Sequence, residues 1–330
     1  MIKLSKISFT ITMMIGSMIT ISSYTWMGMW MGLEINLLSI IPLLTTKKNI
    51  YSTEAAIKYF ITQALTSSIL LMSILILSTN LINQKSAMMI LYSSLMTKMG
   101  TAPFHFWFPE IIEGLDWMNC LIMMTWQKIA PAMILMSSMN MNTFIYITIT
   151  SSMLISGIMG VNQTSLRKIM AYSSINHMAW MMASMNNEKI FYIYLSIYIT
   201  MSSIFIFTLK SNNSLYIYQM MTSNQSPIIK KTFIINLLSM GGLPPLLGFF
   251  PKWMVINSMI QSNDLILSTF MVMTTLLTLY FYMQISMPIL TMYKMKMKWS
   301  KKNPQQFFMN KMNMINLLSI PVCTIWFNFY

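Results

Sequence analysis

Four ionisable residues stand in stretches otherwise too apolar for charge: Glu34 in WMGLEINLL, Lys98 in LMTKMGTAPFHFWFPE, Lys128 in MTWQKIAP and Lys252 in GGLPPLLGFFPKWM. A lysine at mid-bilayer depth costs about 3 kcal/mol on insertion scales, so one is kept there either for function or in a structural ion pair. Withdrawn from water, a lysine exchanges its proton where an exposed one does not, and a nearby carboxylate makes that exchange switchable. The chemistry on offer is proton transfer. Four such residues together, two of them beside helix breaks, weigh against four unrelated ion pairs. Lys98 is followed by Gly100 and Pro103; Lys252 comes after Gly241, Gly242, Pro244, Pro245, Gly248 and Pro251. Proline removes a helical N–H and clashes with the carbonyl four residues back, so Pro103 is expected to break the first segment against Met99. Two Gly/Pro-interrupted apolar segments in corresponding parts of two halves point to an ion path. Pro131 is expected in the same way to free the Gln127 carbonyl beside Lys128 and to make room for water.

The elements that must position these residues are membrane helices. Of the 330 residues, 55% are hydrophobic and 8% charged, with a mean hydropathy of +0.59. That composition excludes a soluble domain and implies an all-α polytopic protein, one membrane domain over 1–330. Apolar runs of about 20 residues place about eleven spans, at 4–23, 26–45, 55–78, 87–107, 117–139, 143–161, 169–186, 190–209, 232–257, 265–290 and 313–329. Charge tests the count. With that alternation fifteen Lys/Arg fall on the side of the N-terminus, and only Lys85 and Lys189 on the other. The bias is a positive-inside signal, which explains the net charge of +14 without nucleic acid. The ninth span runs from inside to outside, so Lys252 lies nearer the outer face, the exit end of a lateral chain of charges.

Other features are weaker. The turn 108–116 carries Glu110, Glu113 and Asp116 on the inside face and is expected to be a solvated acidic loop. The inside loops 210–231 and 291–312 set topology, with anionic lipid or a soluble partner as the alternative. Glu54 and Lys58 read as an i,i+4 pair at a helix end. His105 and His177 could relay protons, but hydrogen-bonded packing is the preferred reading for each. Cys120 and Cys323 fall in apolar runs and predict no disulfide. The run after Lys3 and Lys6 reads as a span, since it is long for a signal peptide and no cleavage site follows. No Arg-rich transit peptide is present, so an organellar protein of this kind would be made inside the organelle. No dinucleotide, Walker, CxxC, HExxH or haem motif appears, and no redox cofactor is expected. The 42 methionines and single arginine, Arg167, look like nucleotide bias.

The segments GLEINLLSIIP, STEAAIKYFITQA, KMGTAPFHFWFPE, TWQKIAP, NQTSLRKIMAYSSINHMAW and GGLPPLLGFFPKW, spread over residues 26–257, resemble the mitochondrially encoded antiporter-like membrane subunits of NADH:ubiquinone oxidoreductase, respiratory complex I. The Met/Ile/Asn-rich composition is similar to that of insect mitochondrial proteins. The resemblance implies two inverted five-helix repeats, about 4–139 and 143–290, each with a discontinuous fourth helix, and a C-terminal helix at about 313–329. It implies that Glu34 is the pairing glutamate, Lys98 its lysine partner, Lys128 the central lysine and Lys252 the terminal one, and that these form a proton path. It also implies that no cofactor is bound here, with NADH, FMN, iron–sulfur clusters and ubiquinone handled by other subunits. Expected partners are neighbouring antiporter-like and small accessory subunits and lipids such as cardiolipin. The expected location is the mitochondrial inner membrane, with the N-terminus and basic loops in the matrix and the C-terminus in the intermembrane space. The competing readings are a scaffold of the membrane arm without its own proton path and a secondary cation/proton antiporter.

Overall fold

In an apolar medium every backbone N–H and C=O must be satisfied within its own segment, and long runs of Ile, Leu, Met and Phe do this as helices. The computed structural model describes residues 2–45, 49–79, 84–138, 143–222, 227–244 and 246–291, the side chains of 2, 3 and 227–229 excepted. Among these residues the secondary structure is helical, apart from one isolated bridge between Ser165 and Tyr216. Among the described residues, seven segments are long and apolar enough to cross a membrane: Leu4–Ser22, Trp26–Leu44, Ile50–Thr79, Trp117–Ser138, Thr143–Val161, Glu188–Asn212 and Leu265–Thr291. The expected last helix, 313–329, and the basic loop 291–312 lie outside the described residues, except for Thr291.

The chain divides into two compact units, one up to Thr148 and one from Ile149 on. In the first, α1 (Ile2–Ser22) and α2 (Trp26–Leu44) pack tightly, and α3 (Ile50–Thr79) joins α2 to α4 (Gln84–Met99). The α1–α2 approach depends on Gly16 and Gly32, where an added Cβ would fall 3.0 Å from the Gly32 carbonyl and 2.8 Å from the Gly16 carbonyl respectively. Small residues that bring backbones together replace the hydrophobic drive that lipid does not supply. After α4 come α5 (Trp107–Gly114), α6 (Trp117–Met124) and α7 (Trp126–Ser138), with α7 packed on α4, α1 and α2.

Two expectations are corrected here. The turn 108–116 is mostly helical: α5 carries Glu110 and Glu113, and Lys58 bridges Glu54 at 3.1 Å and Glu110 at 3.4 Å. The expected span 117–139 is found as Trp117–Ser138, with a local interruption at Thr125, whose hydroxyl turns back to the Leu121 carbonyl, and with Pro131 inside α7. The break after Lys98 is made by Gly100, not by Pro103, as detailed below.

In the second unit, α8 (Thr143–Val161) is followed by α9 (Leu166–Ser184), α10 (Glu188–Asn212), α11 (Ile217–Thr222), α12 (Pro227–Gly241), α13 (Phe249–Gln261) and α14 (Leu265–Thr291). The stretch 210–231, expected as a loop, thus contains α11 and the start of α12. Helix α9 is buried along nearly its whole length although it carries Ser173, Ser174, Asn176 and His177. Two of its polar side chains bond to neighbouring helices: Asn176 donates to the Thr278 hydroxyl of α14 at 3.2 Å, and His177 Nδ1 meets the Tyr194 hydroxyl of α10 at 2.9 Å. A helix that faces protein on all sides can hold such residues where a lipid-facing one cannot.

Candidate proton-transfer site

Both helix breaks are built by the same local device. At the end of α4, Gly100 adopts φ 71°, its N–H bonds to the Thr97 carbonyl at 3.1 Å, and the Thr101 N–H reaches the Met96 carbonyl at 3.1 Å. At the end of α12, Gly242 adopts φ 81°, its N–H bonds to Ser239 O at 3.0 Å, and Leu243 N reaches Leu238 O at 3.4 Å. These are Schellman caps, in which a left-handed residue closes the helix and glycine carries it without strain. The prolines that advertise the breaks follow the glycines that make them. Trp107 Nε1 adds a bond to the Thr97 carbonyl at 3.0 Å, fixing the start of α5 against the end of α4.

Each break presents the carbonyl end of a helix to a lysine. Lys98 lies in the last turn of α4 and is 8% exposed. Lys252, on α13, reaches back so that Nζ donates to the Gly241 carbonyl at 2.9 Å and the Met240 carbonyl at 3.4 Å. The partial negative charge at a helix C-terminus favours an ammonium in both places. Lys128 occupies the first turn of α7, is 5% exposed, and holds Nζ 4.7 Å from the centroid of the Phe108 ring. That ring is set by the first break: a Cβ on Gly100 would lie 3.1 Å from both Cβ and Cγ of Phe108. The α4–α5 break therefore turns an aromatic face onto a buried ammonium, a cation–π contact.

Glu34 is half-buried on α2. No ion pair within 4.0 Å joins it to Lys98. Its Oε1 lies 3.5 Å from the Ser67 hydroxyl, but that hydroxyl has one proton and a closer acceptor, the Ala64 carbonyl at 2.9 Å. Its Oε2 is buried without a hydrogen-bond partner among the described residues. The carboxylate is thus poorly served by its surroundings.

Of the four candidates, the structure puts Glu34, Lys98 and Lys128 in the first unit and Lys252 in the second. His105 is buried with Nδ1 3.4 Å from the Pro103 carbonyl. His177 has the Tyr194 bond already described and rests 5.3 Å from the Tyr198 ring, in keeping with hydrogen-bonded packing. The Cys120 thiol is buried and donates to the Ile112 carbonyl at 3.5 Å and the Leu115 carbonyl at 3.6 Å. Sequence reasoning missed Phe108, Ser67 and the Met240 and Gly241 carbonyls. Phe108 was hidden in a run of aromatics, and carbonyls have no sequence letter.

Comparison with known proteins places this geometry. A family model described as NADH:quinone oxidoreductase/Mrp antiporter, TM, matches residues 23–278. The chain is similar to NADH-ubiquinone oxidoreductase chain 2 of Anopheles gambiae, 47% identical over 325 residues that cover 96% of this chain and 94% of that one. It is also similar to the chain 2 of Locusta migratoria, 42% identical with 97% and 96% covered, and to that of Bos taurus, 43% identical with 88% of each covered. Its fold is similar to a chain of respiratory complex I from Thermus thermophilus, with a TM-score of 0.82, 20% identity, and 96% of this chain and 78% of that one covered. A chain of the Mrp complex from Dietzia shares the fold at a TM-score of 0.73, 14% identity, and 89% and 61% covered. The chain belongs to the NADH:quinone oxidoreductase/Mrp antiporter transmembrane family and, within it, to the chain 2 group of NADH-ubiquinone oxidoreductases.

Proposed function

We propose that this chain is a membrane-arm subunit of respiratory complex I that contributes to proton translocation across the mitochondrial inner membrane, driven by NADH oxidation and ubiquinone reduction elsewhere in the complex. Glu34, Lys98, Lys128 and Lys252 carry the proton. The observation that carries this reading is the burial of Lys98, Lys128 and Lys252 beside interrupted helices in a chain of this family. In the sequence of events, Glu34 closes on Lys98 and withdraws in step with the redox cycle. Closure holds the Lys98 proton, and withdrawal releases it toward Lys128. Lys252 receives charge at the outer end and passes it out.

The fold in this reading is two inverted five-helix repeats plus a C-terminal helix, eleven spans in all. It is supported by the same glycine cap at the end of α4 and of α12, and by the division of the chain inside α8. The N-terminus and basic loops face the matrix, as the lysine bias requires. The chain binds no redox cofactor; NADH, FMN, iron–sulfur clusters and ubiquinone belong to other subunits. Its partners are neighbouring antiporter-like subunits, small accessory subunits and anionic lipids such as cardiolipin.

The test is the number of protons pumped per NADH oxidised by reconstituted complex I carrying Lys128→Met, with enzyme content measured independently. Methionine keeps the length of the side chain and removes the charge, so normal assembly with lost or lowered pumping is expected. An assembled Lys128→Met enzyme that turns over and pumps as before would return the subunit to a scaffold role.

A further inference from the structure

The residue before Lys128 makes one of the few long-range side-chain pairs in the first unit. Gln127 Nε2 donates to Asn36 Oδ1 at 2.9 Å, and Asn36 Nδ2 donates to Gln127 Oε1 at 3.1 Å, so the two amides close a reciprocal ring between α7 and α2. The Tyr59 hydroxyl of α3 donates to the same Gln127 oxygen at 3.4 Å. Asn36 and Tyr59 are both buried, and Tyr59 rests against Trp107, whose ring centroid is 6.0 Å away. Three helices therefore meet at one amide, in the first turn of α7, one residue from Lys128 and just past the interruption at Thr125.

The same face of α3 continues toward Glu34. Tyr59, Gln63 and Ser67 recur every four residues and so share one side of the helix. Ser67 is the group beside Glu34 Oε1, and Gln63 stands one turn from it toward Tyr59. Gln63 Nε2 is a buried donor, and Glu34 Oε2 a buried acceptor, each without a hydrogen-bond partner among the described residues. An unmet donor and an unmet acceptor thus lie on α3 and α2, the helices that contribute Tyr59 and Asn36. Groups of this kind are costly to leave unmade and respond when a neighbouring charge moves.

We infer that the Asn36–Gln127 amide pair, braced by the Tyr59 hydroxyl, is a positioning element for Lys128: it ties the first turn of α7 to the helices that carry and contact Glu34, so that a shift at the carboxylate is transmitted to the lysine. The inference rests on the reading that Glu34 and Lys128 move protons. It adds three residues that bear no charge and touch neither the substrate nor the transferred proton. A ring of two amides suits the task because each member both donates to and accepts from the other. Displacing either helix breaks two bonds at once, and the first turn of α7 has Thr125 as its joint.

The experiment compares complex I carrying Asn36→Leu with Gln127→Leu and complex I carrying the exchange Asn36→Gln with Gln127→Asn, both assayed per assembled enzyme for NADH:ubiquinone turnover and protons per NADH. Replacing both amides by apolar side chains of similar size orphans only the Tyr59 hydroxyl, whose own contribution Tyr59→Phe measures, so a purely structural pair would be lost without functional cost beyond that of Tyr59→Phe. The expected result is assembly with turnover or pumping lowered about threefold or more, the factor set by one interhelical hydrogen bond in a membrane protein, and recovery in the exchanged pair. Full turnover and stoichiometry in the assembled leucine pair overturns the inference. If the leucine pair does not assemble, Tyr59→Phe decides: a shifted pH–rate profile or a lowered pumping ratio supports the brace, and an unchanged profile and ratio, whatever the turnover, overturn it. Lys128→Met is run in parallel. If it pumps normally, the proton-path reading fails; if it does not pump while the leucine pair does, only the positioning role fails.

Discussion

Gly242→Ala tests how the second break holds its lysine. Alanine at φ 81° costs about 1–2 kcal/mol in the left-handed region. The new Cβ would also lie 3.0 Å from both Cδ and Nζ of Lys252 and 3.3 Å from the Gly248 carbonyl. The flexible lysine yields more readily than the backbone, so Nζ leaves the Gly241 carbonyl, now 2.9 Å away. A hydrogen bond from a charged group contributes about 1.5–3 kcal/mol. The two effects differ in kind: the first lowers stability, the second misplaces a charge. At about 1.4 kcal/mol per tenfold, the misplacement alone predicts proton pumping reduced about tenfold or more in the fraction that assembles. Gly241→Ala is the control, because that glycine is helical and its added Cβ would meet the Tyr282 ring edge at 3.3 Å and the Leu279 side chain at an ordinary 3.8 Å. The assay is proton pumping by proteoliposomes containing each variant, normalised to enzyme content. If assembled Gly242→Ala enzyme pumps within twofold of the unsubstituted enzyme, the carbonyl cradle does not position Lys252 for its task and the argument from the cap is wrong.

Three further outcomes follow from single contacts. Phe108→Leu removes the ring face at 4.7 Å from Lys128 Nζ, a contact of about 2 kcal/mol when desolvated, and should slow turnover severalfold; Phe108→Tyr, which keeps the π face, should not. Equal rates for the two variants would count against the cation–π contact. Tyr194→Phe takes away the hydroxyl at 2.9 Å from His177 Nδ1 and should destabilise the second unit by about 1–3 kcal/mol, read as faster thermal inactivation of the complex, whereas unchanged inactivation would mean the bond is not formed. Glu110→Gln breaks only an exposed contact with Lys58, and surface ion pairs of this kind contribute little; assembly and turnover should stay the same, and a clear loss of either would mark the acidic face of α5 as a docking surface.

How far the sequence reached can be judged residue by residue. The isolation of Glu34, Lys98, Lys128 and Lys252 in apolar stretches is a property of composition, and no folding is needed to see it. The breaks in the fourth and ninth segments were legible because Gly and Pro restrict the backbone locally. The cap at Gly100 was misassigned to Pro103 because both residue types signal the same interruption, and only the dihedral angles tell which closes the helix. The interruption at Thr125 carried no signal at all, since a threonine hydroxyl competes for a carbonyl only where packing allows it. Likewise α5 was taken for a turn: three acidic residues in nine suggested solvent, while Phe108, Ile111 and Ile112 were already marking a buried face.

What the sequence determined by itself was where charge enters an apolar chain and where its helices must stop, because both follow from the side chain or backbone of one residue and its near neighbours. Which groups meet was decided by the tertiary structure. Asn36 and Gln127 are 91 positions apart, the Lys252 ammonium bonds carbonyls that any residue would supply, and the ring facing Lys128 was one phenylalanine among several. Such pairings depend on the approach of whole helices, which small residues like Gly16 and Gly32 permit but which no local pattern states.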